Sequence, residues 1–196
     1  IRLFKPLVDF LARERTYDLR WEEVSPSGGI VFENKSLTVE AFRLYHRVPT
    51  VGYLFREKPK SRHLNGDMIR FHNIGIRDLA AIKEGADYVT PDGRVIANTL
   101  LTTPADPSMS YAYCSDTTFS AKVAEAVAGV DTLYHEATYA SDQASKARER
   151  GHSTAAEAAE IAKAAGVKRL ILGHFSKRYY NENQHLAEAR AIFPNT

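Results

Sequence analysis

The chain has 196 residues, 44% of them hydrophobic, and a net charge of +2. That is enough apolar material for the core of one domain and excludes an intrinsically disordered chain. No apolar run is long enough to span a bilayer, no signal-peptide pattern is visible, and the single cysteine, Cys114, excludes an intramolecular disulfide and points to a reducing, cytoplasmic compartment.

Phe4, Leu7, Val8 and Leu11 recur at helical spacing, so a helix is expected at the start. Leu19–Val24 and Ile30–Glu33 read as short strands around a turn at Ser25–Gly29. Leu37–Leu44 alternates like a strand, with a phase change near Ala41-Phe42, and Thr50–Phe55 reads as another. Lys58–Asn65 is polar, contains Pro59 and reads as a loop. Helical spacing returns at Ile76, Leu79, Ala80 and Lys83, and Tyr88–Ile96 reads as a hairpin turning at Asp92-Gly93. From Tyr111 onward strands alternate with helices. Strands are expected at Tyr111–Ser115, Val130–His135 and Lys168–Leu172. Helices are expected from Ser120 to Ala128, from Ser141 or Asp142 towards Arg150, from the capping box Thr154-Ala155-Ala156-Glu157 to Gly166, and over Leu186–Ile192. Cys114 fits a small apolar residue inside a buried strand. The architecture is strand-rich first and βαβ-like second, an α/β (α+β) chain able to form half of a sandwich with helices outside.

The charge is uneven. Between Arg43 and Lys83 there are nine Lys or Arg against three acids, with Tyr45, Tyr53, Phe55 and Phe71 interleaved. Basic residues with aromatics form the electrostatic footprint expected for nucleic acid, although ordinary solvated lysines read the same way.

The chemistry collects at strand ends. His174 follows an apolar strand and a glycine, Asp116 follows Tyr111–Ser115, and His46 closes Leu37–Tyr45. Each alone has a bland reading, as a structural histidine or a helix cap. Together, neutral imidazoles and a carboxylate suit zinc, and a carboxylate can bridge two ions. Three ligands cannot hold two zinc ions, so further ligands have to come from residues not in this sequence. His152 precedes a helix N-cap, and Glu136 is the carboxylate able to hold it as a general acid. Ser176, Lys177 and Arg178 follow His174 and suit a phosphate, or else form a surface turn.

These residues lie in L-Y-H-R-V-P-T-V-G-Y (44–53), C-S-D-T (114–117), H-E-A-T (135–138), G-H-S-T (151–154) and G-H-F-S-K-R-Y (173–179). In that series the chain resembles the C-terminal part of the ribonuclease Z family, tRNA 3′-processing endonucleases of the metallo-β-lactamase superfamily. The resemblance implies an αββα sandwich and one domain, with this chain as its C-terminal portion and a basic tRNA-contacting insertion at about 56–85. It implies two zinc ions, with His46, Asp116 and His174 as ligands. It implies Glu136 and His152 as the pair moving a proton to the leaving group. Thr117, Ser176 and Arg178 are implied near the substrate phosphate, and Arg56, Lys58, Lys60 and Arg62 on the RNA. The partners implied are precursor tRNA and a second subunit in a homodimer, with no membrane. The reaction implied is hydrolysis that removes the 3′ trailer and leaves a tRNA 3′-hydroxyl.

The sequence departs from the family pattern in three places. The H-x-H-x-D-H motif is absent and is expected upstream of Ile1, which is not a methionine. Thr118-Phe119 follow S-D-T in place of Arg-Pro. Lys58–Asn65 differs from the family's loop and arm sequences. The chain alone is therefore expected to be inactive. The alternatives are a superfamily phosphodiesterase acting on small diesters and a non-catalytic RNA-binding or dimerising module.

Overall fold

The computed structural model describes residues 4–12 and 14–196. In chain order the elements are α1 (Phe4–Leu11), β1 (Gly29–Glu33), β2 (Leu37–Leu44), β3 (Thr50–Glu57), β4 (His63–Leu64), α2 (Gly66–Phe71), α3 (Leu79–Lys83), β5 (Tyr88–Val89), β6 (Val95–Ile96), α4 (Asn98–Leu101), β7 (Thr102–Thr103), β8 (Ser110–Cys114), α5 (Ala121–Ala126), β9 (Thr132–Glu136), α6 (Ala144–Arg150), α7 (Ala155–Ala165), β10 (Arg169–Gly173) and α8 (Asn183–Ile192).

Six strands form one sheet in the order β1-β2-β3-β8-β9-β10. The first three and β8 pair antiparallel, while β8, β9 and β10 run parallel. Parallel neighbours need crossovers, and α5 and the α6–α7 pair provide them. The strand ends that follow β8, β9 and β10 therefore lie side by side at one edge.

One face of the sheet carries Phe42, Leu44, Leu54, Ala112, Cys114, Leu133 and Leu170. They pack with Val123 and Val127 and with the alanine-rich α7. Small residues at Ala155, Ala158, Ala159 and Ala162 bring that helix close to the sheet, and all four are buried. Cys114 is fully buried, and burial pushes its thiol up, which keeps it inert. The opposite face is aromatic. Tyr53 registers with Tyr113 and Tyr113 with Tyr134, whose rings stack 4.8 Å apart. Tyr113 and Ile171 are more than a third exposed there. The described residues thus form one helix layer and one sheet of a layered α/β fold.

Between β3 and β8 the chain builds a second small cluster around Ile74, Ile82 and Leu101. Buried Asn98 ties it together by donating to the carbonyls of Ile82 and Ala86. This lobe extends well past residue 85, and the expected loop at Lys58–Asn65 contains β4, which pairs with β7. The hairpin at Tyr88–Ile96 is present as β5–β6.

One expectation is corrected. Leu19–Val24 forms no strand. The phase change expected in β2 is present: Val39 and Ala41 are buried on one side and Phe42 and Leu44 on the other, while the register with β3 runs unbroken from Leu37 to Leu44. Ala41 and Phe42 are thus both buried, and a backbone irregularity lies in β1, between Ile30 and Phe32.

Candidate active site

Asp116 follows β8, Glu136 ends β9 and His174 follows β10. Register places Cys114 beside His135, and Glu136 beside Gly173, so the three acid–base residues converge at the C-terminal edge of the parallel strands. His46 enters from the β2–β3 turn and His152 from the α6–α7 connection. The rings of His46 and His152 are 4.9 Å apart, and those of His152 and His174 5.3 Å apart.

Glu136 is the hub. Its side chain is fully buried and its two oxygens accept four hydrogen bonds. Oε1 accepts from the Thr117 amide at 2.7 Å and faces His152 Nδ1 at 2.8 Å. Oε2 accepts from the Thr138 hydroxyl at 2.5 Å and from the Ser153 amide at 3.2 Å. Burial pushes this carboxyl up, but the bonds from His152 and Thr138 outweigh it and hold the group below its usual value. The bond to Glu136 raises His152 above its ordinary 6.5, against desolvation, which works the other way. Glu136 and His152 are 16 positions apart, and sequence spacing alone could not establish their contact.

The local sequence explains how His152 reaches Glu136. Gly151 caps α6 in the left-handed conformation at φ +80°, with the His152 amide donating to the Ala147 carbonyl. A side chain at 151 would sit 2.7 Å from His46 Nδ1, so glycine is required twice over. The Gly151 carbonyl faces His46 Nδ1 at 2.7 Å. That carbonyl can only accept, so Nδ1 carries the proton and the Nε2 lone pair of neutral His46 is free to bind a metal. Thr154 then starts α7 with the capping box expected from the sequence.

Thr138 sets the tautomer of His174. Its hydroxyl gives its one proton to Glu136, so it accepts from His174 Nδ1 at 2.7 Å. His174 Nε2 is left facing Asp116 Oδ1 at 3.3 Å. With neutral imidazole, two lone pairs meet there, an arrangement that calls for a proton or a metal ion between them. Asp116 and His174 also share a backbone strain: both have φ near +60°, uncommon for residues other than glycine. Ligand atoms of Asp116, Glu136, His152 and His174 all lie within 4.8 Å of one another. Glu136 is already saturated by its four donors, which leaves Asp116, His152 and His174 of that group, and His46 is not part of it.

Thr117 is fully buried. Its hydroxyl accepts from the Tyr45 amide and donates to the Thr118 carbonyl, so no polar group of this side chain is left for a substrate. Its place corrects the expectation of a phosphate contact: it laces the Asp116 loop to the strand leading into His46. Ser176 and Arg178 lie on the loop after His174, where Arg178 reaches Gln143 at 3.4 Å. Beneath that loop, buried His185 packs edge-on against Phe175 and Tyr179. Arg56, Lys58, Lys60 and Arg62 are not brought to the site. Arg56 pairs with Ser110 at the opposite end of β8, and Lys58, Lys60 and Arg62 lie beyond the same end of β3. Sequence reasoning misses Thr138, Ser153 and Tyr45 as site-building residues. The polar positions at 138 and 153 inside short motifs are the only signal for the first two.

Residues 99–175 match the family described as the beta-lactamase superfamily domain. The metallo-β-lactamase fold protein YhfI of Bacillus subtilis aligns with a TM-score of 0.51 at 17% identity, over 84% of this chain and 46% of that one. The chain has a metallo-β-lactamase-type fold, present here as part of the domain. The sequence relationship is narrower. The chain is 46% identical over 195 residues to a ribonuclease Z of Bacteroides fragilis, and 45% identical over 196 residues to one of Porphyromonas gingivalis. These matches cover 99% and 100% of the chain, which spans 64% of the length of each relative. Nearly the whole of this chain is thus similar to proteins named ribonuclease Z. Among the described residues no helix is long and apolar enough to cross a membrane.

Proposed function

We propose that the chain is the larger part of a zinc-dependent endoribonuclease that removes the 3′ trailer of precursor tRNA. The observation that carries this reading is the Asp116–His174 convergence beside a His152 held by a buried carboxylate. Likeness over nearly the whole of this chain to proteins named ribonuclease Z supports precursor tRNA as the substrate.

Asp116 Oδ1, His174 Nε2 and His46 Nε2 would hold the zinc, with the remaining ligands supplied by the length of the relatives that this chain does not span. When bound, such ions supply Lewis acidity at the scissile phosphate. His152, kept protonated by Glu136, gives its proton to the leaving 3′ oxygen as the P–O3′ bond breaks and a water oxygen joins phosphorus, the proton that this water loses passing to solvent. The products are a tRNA with a 3′-hydroxyl and a trailer with a 5′-phosphate. Ser176 and Arg178 act on the phosphate from the loop beside His174. Thr117 and Thr138 act as positioning residues.

In this reading the chain is the C-terminal portion of a single αββα domain. The aromatic face of Tyr53, Tyr113 and Tyr134 receives the second sheet. The complete protein works as a cytoplasmic homodimer.

The test uses precursor tRNA carrying a 3′ trailer, with zinc. A protein of the relatives' full length is expected to cut it to a 3′-hydroxyl end, and the 196-residue chain to leave it intact. Cleavage by the chain alone at a comparable rate would overturn the division of ligands.

A further inference from the structure

Next to His46 the surface opens into a cleft of about 590 Å³. Arg43, Arg47 and Arg148 line it together with Tyr45, His46 and Thr118, and no Asp or Glu contributes to its walls. Among the described residues no carboxylate pairs with any of the three guanidiniums. Arg43 lies 5.4 Å from the centre of the Tyr45 ring, and the Arg47 charge is near enough to work against protonation of His152. Three cations gathered without a counter-charge repel one another, and a fold tolerates this on its surface where an anion completes the arrangement. Arg148 sits in the last turn of α6, where a cation also favours the helix end, but that role needs no partner from β2.

The cleft is continuous with the site. His46 and Gly151 belong to both, joined by their 2.7 Å hydrogen bond, and Thr118 is two residues from Asp116. A group seated between Asp116 and His174 therefore has the cleft as its neighbour on the His46 side. Guanidiniums match phosphate oxygens in pairs, and an aromatic ring beside them suits a base or ribose.

We infer that this cleft binds the backbone phosphates of the RNA strand flanking the scissile phosphate, with Arg43, Arg47 and Arg148 as the binding groups. The inference rests on the ribonuclease reading above and deepens it by assigning where the strand runs. The sequence pattern puts the nucleic-acid contacts instead at Arg56–Arg62, at the other end of β3.

The experiment is fluorescence anisotropy with a labelled acceptor-stem hairpin RNA carrying a 3′ trailer, titrated with the 196-residue chain over a range of salt. The Arg43→Ala/Arg47→Ala/Arg148→Ala variant is expected to bind on the order of 10- to 100-fold more weakly. Its log K against log salt should be shallower by about two, since each single-strand phosphate that the protein neutralises adds about 0.7 to the slope. All three residues are exposed, so the variant should melt with the wild type, and Arg148→Glu alone gives a second, independent reading. Unchanged affinity and slope in both variants, with wild-type binding intact, would overturn the cleft and leave the ribonuclease reading standing. Displacement of the RNA by inorganic phosphate at constant ionic strength would show a single-anion pocket and overturn the strand path. A wild-type chain with no RNA affinity at all would overturn both.

Discussion

Two groups of basic residues stand at opposite ends of β3, and they differ in what the fold has done with their charge. At the far end Lys58 pairs with Glu33 at 2.6 Å, Lys60 pairs with Glu57 at 2.8 Å, and the Arg62 guanidinium donates to the Thr102 hydroxyl. At the site end Arg43, Arg47 and Arg148 have no such partners among the described residues. The strand between them has eight residues, about 23 Å at the usual rise. A count of basic residues along the chain cannot separate these ends. The difference appears only when each cation is matched with its nearest acid, and an unneutralised group beside a catalytic-type cluster is the better guide to where an anion goes.

The largest effect belongs to the site end. In a protein of the relatives' full length, His152→Ala is expected to slow precursor cleavage by about 10²–10⁴-fold, the usual share of a general acid, measured as single-turnover rate. Glu136→Gln separates the charge from the position. The ionised Glu136 raises His152, so the acid form persists above its ordinary 6.5 and activity falls as pH rises through the raised value. With glutamine the fall should move to lower pH. The same sign governs stability: what the pair contributes through His152 is fully present below 6.5 and is lost as pH rises through the folded value. An unmoved basic limb would show that His152 is not the titrating acid.

Thr138→Val is the next step down. It removes the hydroxyl through which Glu136 fixes the His174 tautomer, and it leaves the remaining donors to Glu136 in place. Orienting contacts of this kind are commonly worth about 10- to 100-fold in metal affinity. Zinc titration of the chain, read by calorimetry, should show that loss with little change in melting temperature, and Thr138→Ser should restore most of it. Equal zinc affinity in wild type and Thr138→Val would mean that His174 is held by packing alone.

The site is more legible in the sequence than the fold around it, for a physical reason. Asp116, Glu136, His152 and His174 each sit where a short apolar run or a helix cap ends, and such positions announce themselves locally. Contacts between motifs do not. The bond from Glu136 to His152 depends on Gly151 turning α6 back, and the tautomer of His174 depends on a threonine 36 positions away. Leu19–Val24 looks like a strand because its residues favour one, yet it finds no partner in the sheet. The lobe between β3 and β8 reads as a basic segment because its apolar residues, Ile74, Ile82 and Leu101, are scattered and meet only in three dimensions. Thr117 takes its sequence reading from its neighbour Asp116, and only its burial shows that it faces inward.

Gly151→Ala tests how tightly the two histidines are coupled at the site end. A non-glycine residue at φ +80° costs about 1–2 kcal/mol, and the new methyl would also press on His46. Denaturant unfolding should show a loss of about 1–3 kcal/mol. Zinc affinity should fall alongside, because the carbonyl that orients His46 must move. A stability loss without a change in zinc affinity would detach His46 from the metal.

The smallest effect is expected at the far end, and it is the one that can break the comparison. Lys58→Ala/Lys60→Ala removes two surface cations, the first of them half-buried, that already face Glu33 and Glu57, pairs of a kind worth about 0–1 kcal/mol in water. Removing them also leaves Glu33 and Glu57 without counter-charges, so the patch turns net acidic. On the salt-dependent RNA titration, a slope shallower by less than about one would match cations that are spent on internal pairs. A drop as large as that of the Arg43/Arg47/Arg148 variant would mean that RNA competes Glu33 and Glu57 off their lysines. In that case pairing in the free protein would no longer distinguish the two ends, and the strand would have to run the length of β3 rather than stop at the cleft.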